Sequence, residues 1–190
     1  MIKQDFSNLT GKILIASPYT MEGNVFHKSL IYVVHHGADG SVGFIVNRLI
    51  KDTPANYLFK KTDPKLENAL SNLELYIGGP MDIERGTFLH SSDYKKNVLL
   101  PIGSSLAVSA NFEILKDIEA GTGPKFYMFL LSHTAWKPGE MESEIENNLW
   151  IVAEADEALI FGPDNNDKWS AALANLGLDS SDFAPTIAHC

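Results

Sequence analysis

The sequence predicts one α+β domain over residues 1–190, built on a large and mostly antiparallel β-sheet. Two β-rich runs joined across Asp39–Gly40 predict a hairpin, because this dipeptide supplies the positive φ angles of a tight turn. Helical patterns occur only between the later strands, whereas parallel folds alternate a helix with every strand. A chain of 190 residues, 45% hydrophobic and 21% charged, has the composition and size of a globular domain with its own core.

The first half of the chain predicts four strands and two helices. The strand segments are short, rich in β-branched or aromatic residues, and bounded by proline, glycine or polar residues. They cover residues 12–17, 29–36, 42–47 and 73–77. The helices cover residues 53–59, opened by Thr53–Pro54, and residues 64–72, where Leu66 and Leu70 share one face.

The second half predicts three further strands and three helices. The strands cover residues 88–90, 126–131 and 150–152, and Leu106–Val108 precedes the first helix. The segment 126–131 is apolar on both faces, which is typical of a central strand. The first helix is expected to be capped near Ser109 and to end at Gly121, and Pro138 suits the first turn of a helix that runs to about residue 148. The last helix covers about 164–176.

Acidic charge is concentrated near the end of the chain. Residues 1–137 have a net charge of +1, whereas residues 138–190 contain 11 acidic residues and one lysine, and the whole chain has a net charge of −9. Such a surface repels phosphate backbones, because DNA binding depends on basic side chains. We therefore expect no direct nucleic-acid binding. The acidic region is either a solvated face or a docking surface for a basic partner.

Only two of the fifteen cationic residues are arginines, Arg48 and Arg85. Arginine differs from lysine in its planar guanidinium, which can hold a carboxylate with two hydrogen bonds. Chance within a lysine-rich composition is one explanation for this pair. The other is a specific contact, and we hypothesise that at least one arginine pairs with a carboxylate of residues 140–146 and anchors that helix on the sheet.

The sequence has no membrane-spanning or secretory pattern. No apolar run approaches the roughly 18 residues that a membrane helix needs, and residues 1–10 do not resemble a signal peptide. The single cysteine, Cys190, is the last residue and excludes an intramolecular disulfide. We expect a cytoplasmic protein with a mobile terminal thiol and no membrane association.

No segment has the spacing of a metal or catalytic motif. The adjacent His35 and His36 should point to opposite faces of a strand, and the other four histidines are scattered. The consecutive His, Ser, Ser and Asp of residues 90–93 cannot align in series as a triad does, so turn chemistry explains them better. The glutamates of residues 140–146 suit the positive end of a helix, although a paired-carboxylate acid–base site is an alternative. We expect no metal and no cofactor.

Several motifs occur in order along the chain: GFIVNR at 43–48, GGP at 78–80, RG at 85–86, WKPGEMESE at 136–144 and NLW at 148–150. Together they resemble the YqgE/AlgH family over nearly the whole chain. The resemblance implies a bacterial cytoplasmic protein with a large curved sheet flanked by helices and no established catalytic activity. Members are often labelled transcriptional regulators. The chain departs from the family pattern at Leu49, where proline is usual, and at Glu140, where glutamine is usual.

Three functions follow from these observations. The leading hypothesis is a non-enzymatic binding or regulatory protein that acts through a protein partner or a small ligand. The alternative is an enzyme that uses Glu142 or Glu144 with His133 or His90 as acid and base, and the third is a direct DNA-binding regulator. The residues of the candidate ligand or partner surface are Asn47, Arg48, Arg85, His90, His133, Trp136, Glu140, Glu142 and Glu144.

Overall fold

The computed structural model describes residues 8–18, 21–51, 55 and 67–179, in which ten strands form one curled sheet. The strands are β1 (Lys12–Ala16), β2 (Leu30–Gly37), β3 (Gly40–Ile45), β4 (Leu49–Ile50), β5 (Leu75–Ile77), β6 (Met81–Ser91), β7 (Leu100–Ile102), β8 (Leu106–Ser109), β9 (Tyr127–Trp136) and β10 (Trp150–Glu154). The helices are α1 (Glu67–Ser71), α2 (Glu113–Glu119), α3 (Glu140–Glu146), α4 (Glu157–Phe161) and α5 (Lys168–Asn175). None of these helices is long and apolar enough to cross a membrane. The helix expected over residues 53–59 lies outside the described residues except for Ala55, and so does the thiol of Cys190.

The sheet confirms the predicted α+β domain and its mostly antiparallel character. Its strands are ordered β10, β1, β2, β3, β9, β6, β8 and β7, and each neighbouring pair in this order is antiparallel. β5 adds to the middle of β9 in a parallel pairing, and β4 pairs with β5. The predicted hairpin joins β2 to β3, with Gly37 opposite Gly40. β9 is central, as its apolar sequence predicts.

Short or polar elements account for the differences from the predicted pattern. The strand expected over residues 88–90 is only the end of the 11-residue β6. The alternation of apolar and polar residues at 81–84 was missed because Arg85 and Gly86 interrupt it. β4, β7 and α4 are too short for any period to show. The helix cap expected near Ser109 was wrong, because Ser109 ends β8 and the side chain of Asn111 accepts the Glu113 N–H at 2.8 Å.

The two faces of the sheet bury separate cores. Successive residues of β1 and β2 alternate between them, as the period of a strand requires. One core, called the inner core, packs α4 and α5 against one face of the sheet, with Trp169 of α5 donating its indole N–H to Ala16 O at 2.9 Å. On the outer face, α3 covers one region, and α1 and α2 cover another. The helices therefore close part of the sheet and leave other parts open.

A buried lysine attaches α5 to the inner core. Lys168 is only 4% exposed, and its ammonium donates hydrogen bonds to Ile160 O at 2.7 Å and Val46 O at 3.2 Å. Burial lowers the pKa of Lys168 to about 8, against the opposing influence of the carboxylates of Glu74 and Asp164. Burying this charge therefore costs stability at neutral pH, even though its hydrogen bonds are made.

The lysine predicts a rise in stability with pH. Between about pH 8 and the ordinary lysine value near 10.5, the folded chain binds fewer protons than the unfolded chain, so unfolding becomes less favourable as pH increases. We expect the free energy of unfolding to rise by about 2 kcal/mol between about pH 8 and pH 10, relative to a Lys168→Met variant. Urea melts of both proteins across this range measure the effect. If the free energy of unfolding changes equally with pH in both proteins, Lys168 does not titrate between about pH 8 and pH 10.

Candidate ligand-binding site

The inner face of the sheet opens into a cavity of about 420 Å³, called here the first cavity. Its apolar lining comes from β2, β3, β8 and the start of β7: Val34, Val42, Phe44, Leu99, Leu100 and Val108. Its polar lining comes from β2, β6 and β9: His35, Arg85, Thr87, Ser132 and His133. A mostly apolar cavity with a few polar groups is the usual form of a small-molecule site.

A left-handed residue in β9 places His133 at this cavity. Ser132 has φ +66°, a conformation that L-residues rarely adopt and that breaks the strict alternation of side chains along a strand. Leu130 lies in the inner core, and His133, three residues later, lines the first cavity on the same face. Opposite this point, the register of β6 shifts between Met81 and Gly86, which brings Arg85 to the same cavity.

The Gly-Gly-Pro motif holds this irregular region in place. Gly78 donates its N–H to Leu131 O at 2.7 Å and accepts the Ile45 N–H at 2.8 Å, so it bridges β3 and β9. Gly79 donates its N–H to the hydroxyl of Ser132 at 3.1 Å. A Cβ atom on Gly79 would lie 2.1 Å from His133 O. These two glycines are therefore required by close approach of two backbones.

Arg85 is the basic residue at the first cavity that has no ion-pair partner among the described residues. His35 Nε2 lies 2.9 Å from Asp39 Oδ1, and this hydrogen bond lowers the pKa of the Asp39 carboxyl. His133 Nδ1 lies 4.0 Å from Asp82 Oδ2. Arg85 forms no ion pair with any carboxylate that the structure describes. The cavity therefore offers an uncompensated guanidinium beside apolar walls.

A second cavity of about 510 Å³ lies where the end of β3 meets the loop before α5. The cavity is lined by Asn47, Arg48 and Lys51, which follow β3, and by Asp164 and Asp167, which belong to the loop before α5. Leucine, isoleucine and proline side chains complete part of the lining: Leu49, Ile77 and Pro163. The Asn-Arg pair is thus separated from Arg85 and His133, which belong to the first cavity.

Asn47 and Arg48 also fix the loop before β2. Asn47 accepts the Leu30 N–H and donates to Lys28 O, both at 2.9 Å, so its amide is satisfied by backbone groups. Arg48 Nη2 donates to His27 O at 3.2 Å, and burial lowers the pKa of the Arg48 guanidinium. The amide of Asn47 therefore serves the fold, while Arg48 uses only part of its five N–H groups in this contact.

Comparison with known sequences decides the family. The family model described as AlgH-like matches residues 13–181. The chain belongs to the AlgH-like family. A UPF0301 protein from Rickettsia typhi is 42% identical to this AlgH-like chain over 189 residues, covering 100% of both chains. A UPF0301 protein from Rickettsia africae is 43% identical over 184 residues, covering 97% of both.

Solved structures show the same architecture. The solution structure of the AlgH protein from Pseudomonas aeruginosa superposes with a TM-score of 0.76 at 30% identity and covers 100% of both chains. The crystal structure of protein DIP2367 from Corynebacterium diphtheriae gives a TM-score of 0.71 at 21% identity, covering 92% of this chain and 90% of the other. The second likeness concerns the fold alone. The family resemblance and the curved sheet that it implied are confirmed.

The acidic helix of this AlgH-like protein is anchored by tryptophans. Glu144 Oε2 accepts the indole N–H of Trp136 at 2.8 Å and that of Trp150 at 2.6 Å, and both indoles belong to the outer core. The arginine anchor expected for α3 was wrong: neither Arg48 nor Arg85 pairs with a described carboxylate of this helix. Two indole N–H groups that donate to one carboxylate oxygen provide the attachment instead.

The other glutamates of α3 also make local contacts. Glu140 accepts the backbone N–H of Lys137 at 2.8 Å, which closes the first turn of the helix. Glu142 Oε1 lies 3.7 Å from His36 Nε2, and His36 Nδ1 lies 2.8 Å from Ser41 Oγ. The predicted opposite orientations of the two neighbouring histidines are confirmed, since His35 lines the first cavity and His36 contacts α3. The contact of His36 with α3 was not predicted, and the adjacency of the two histidines was its only indication in the sequence.

The acid–base pairs of the enzyme hypothesis do not assemble. Glu142 has His36 beside it, Glu144 is held by two indoles, and His133 lies at the first cavity. His90 is fully buried, where its ring nitrogens contact Ser91 O and Ser109 Oγ, both at 2.9 Å. Burial lowers the pKa of His90. The structure therefore distributes the candidate residues over two cavities, the α3 cluster and a buried histidine.

A metal centre finds no support in the part of the chain that the structure describes. Its histidines and carboxylates form no group of three or more that could hold an ion. His35, His36 and His133 each lie within 4.0 Å of one described carboxylate, those of Asp39, Glu142 and Asp82. A histidine and one carboxylate are fewer than the four ligands of a tetrahedral zinc site.

Proposed function

We propose that this AlgH-like protein is a non-enzymatic, cytoplasmic binding protein whose first cavity binds a small anion with an apolar body. The observation that supports the proposal most directly is Arg85, a guanidinium without a carboxylate partner among the described residues, at the edge of an apolar cavity. A guanidinium can hold a carboxylate or phosphate with two parallel hydrogen bonds. The apolar walls, including Phe44 and Val108, would bury the rest of the ligand.

The neighbouring polar groups suit the same ligand. His133 lines the cavity beside Arg85 and can donate a further hydrogen bond to an anion. The hydroxyl of Ser132 already forms hydrogen bonds with Gly79. The anion would therefore contact Arg85 and His133. Binding would therefore be specified by one charged end and one apolar wall.

We propose that a regulatory role depends on a protein partner that binds at the mouth of this cavity. Three exposed apolar side chains lie in the strand and loop segments that border it: Met81, Ile83 and Leu99. Exposed apolar side chains beside a ligand site suit a protein contact that depends on occupancy. The net charge of −9 opposes direct DNA binding.

The acid–base enzyme is the weaker alternative. Catalysis would require a nucleophile or base within hydrogen-bond reach of an acid in one cavity. Among the described residues, Ser41, His36 and Glu142 form one such series, but Ser41 is only 4% exposed. The same contacts connect β2 and β3 to α3, which is a structural role.

Octanoate and 1-octanol test the proposal, because they share an apolar chain and differ in charge. Titrations followed by ¹H–¹⁵N correlation spectra should show octanoate shifting the amide signals of residues at the first cavity, such as Thr87 and Val108. Arg85→Gln should weaken octanoate binding by about tenfold, the effect of losing one charged contact, and leave octanol binding unchanged.

The control is Lys95→Gln, which removes an exposed cation outside both cavities. It should bind octanoate like the wild type. Equal affinities for octanoate and octanol, or octanoate affinity unchanged in Arg85→Gln, would refute the assignment of this cavity to an anion.

A further inference from the structure

The second cavity combines charges of both signs. Arg48 and Lys51 supply two positive charges, and Asp164 and Asp167 supply two negative charges. Among the described residues, no carboxylate pairs with Arg48 or Lys51 within 4.0 Å. Opposite charges therefore line one cavity of about 510 Å³ without neutralising each other by direct contact.

The groups on both sides retain hydrogen-bonding capacity. Arg48 makes one hydrogen bond, through Nη2 to His27 O, and its other N–H groups have no described acceptor. Asp167 precedes α5, but its side chain does not cap that helix. Asn165, between the two aspartates, keeps a buried Oδ1 without a hydrogen-bond partner among the described residues. The loop bonds to itself through backbone groups, but this side-chain acceptor is left for another donor.

We infer that this second cavity binds a free α-amino acid with an aliphatic side chain. The carboxylate of the ligand would contact Arg48 and Lys51, and its ammonium group would contact Asp164 and Asp167. Apolar atoms of Leu49 and Ile77 would pack against the ligand side chain. This site is separate from the first cavity and does not depend on the function proposed there.

Charge balance favours a zwitterion over a simple ion. An anion alone would satisfy the basic groups and lie beside two carboxylates, and a cation alone would satisfy the carboxylates and lie beside two basic groups. Each arrangement brings like charges together, which opposes binding. A zwitterion matches both sides and adds no net charge to the cavity.

L-leucine, L-leucine amide and N-acetyl-L-leucine test the inference. The amide lacks the negative charge, and the acetyl derivative lacks the positive charge. At millimolar concentrations, L-leucine should shift the side-chain NH₂ signals of Asn47, Asn165 and Asn166 in ¹H–¹⁵N spectra. Each blocked derivative should bind at least about tenfold more weakly, because one side of the cavity then loses its ionic partner.

Substitutions separate the two sides of the site. Asp167→Asn should weaken L-leucine binding about tenfold, whereas Glu146→Gln, which removes an exposed carboxylate of α3, should leave it unchanged. Arg48→Gln should have a similar effect to Asp167→Asn. If the loss of its contact with His27 unfolds this variant, Lys51→Gln tests the same side without that contact.

The result is independent of the first cavity. No L-leucine-dependent shifts at millimolar concentration, or binding of L-leucine amide as strong as that of L-leucine, would overturn the inference. Shifts confined to residues around Arg85 would also overturn it. Octanoate binding in Asp167→Asn should equal that of the wild type, so failure at one cavity can be distinguished from failure at the other.

Discussion

Replacing Gly79 with alanine is expected to lower the free energy of unfolding by at least about 3 kcal/mol. A Cβ atom at this position would lie 2.1 Å from the carbonyl oxygen of His133 and 2.2 Å from its carbonyl carbon. Both are backbone atoms of β9, which pairs with β3, β5 and β6 and cannot move without breaking those pairings. The added methyl group therefore has no flexible neighbour to displace.

Gly103→Ala is the matched control for this substitution. Gly103 has φ +56°, and a methyl group added to it would meet no atom within 4 Å, so alanine there introduces backbone strain without a clash. Its expected cost is about 1 kcal/mol. Urea denaturation of both variants measures the difference. Losses that agree within about 0.5 kcal/mol would contradict the close approach of residue 79 to β9.

Replacing Glu144 with alanine is expected to cost about 3 kcal/mol. The substitution removes the acceptor for two buried indole N–H groups, those of Trp136 and Trp150, and an unsatisfied buried donor costs about 1–3 kcal/mol. Glu144→Gln keeps one carbonyl oxygen and should lose about 1 kcal/mol, because a neutral acceptor binds more weakly than a charged one.

Glu146→Ala controls for the loss of a carboxylate from the same helix. Glu146 is exposed, and we expect a change within about 0.5 kcal/mol. Chemical denaturation followed by tryptophan fluorescence reports both stability and the environment of the indoles. If Glu144→Ala and Glu146→Ala unfold at the same urea concentration, the indole contacts do not anchor α3.

Much of the sheet can be predicted from local sequence. The Asp39–Gly40 turn indicates the β2–β3 hairpin, and the apolar run of residues 126–131 indicates a central strand, because both signals depend only on neighbouring residues. Local sequence does not predict the irregular backbone of β6 and β9. The left-handed Ser132 and the register shift of β6 near Met81 depend on packing between distant segments.

The candidate sites were only partly predictable for the same reason. Arg85 and His133 were recognised as candidates, but their meeting at one cavity requires the irregular segments of β6 and β9. The anchoring of α3 was assigned to an arginine because arginine commonly binds carboxylates. The actual donors, Trp136 and Trp150, are bulky apolar residues whose N–H groups carry no distinct sequence signal.

The pairing of β1 with β10 has a consequence for synthesis of the chain. Lys12 lies opposite Glu154 and Ala16 lies opposite Trp150, so one edge of β1 gains its partner only after about four-fifths of the chain has been made. Until then, a hydrophobic strand near the amino terminus presents unpaired backbone groups that can recruit another nascent chain. Synthesis of β10 thus removes the exposed edge that β1 presents to other nascent chains.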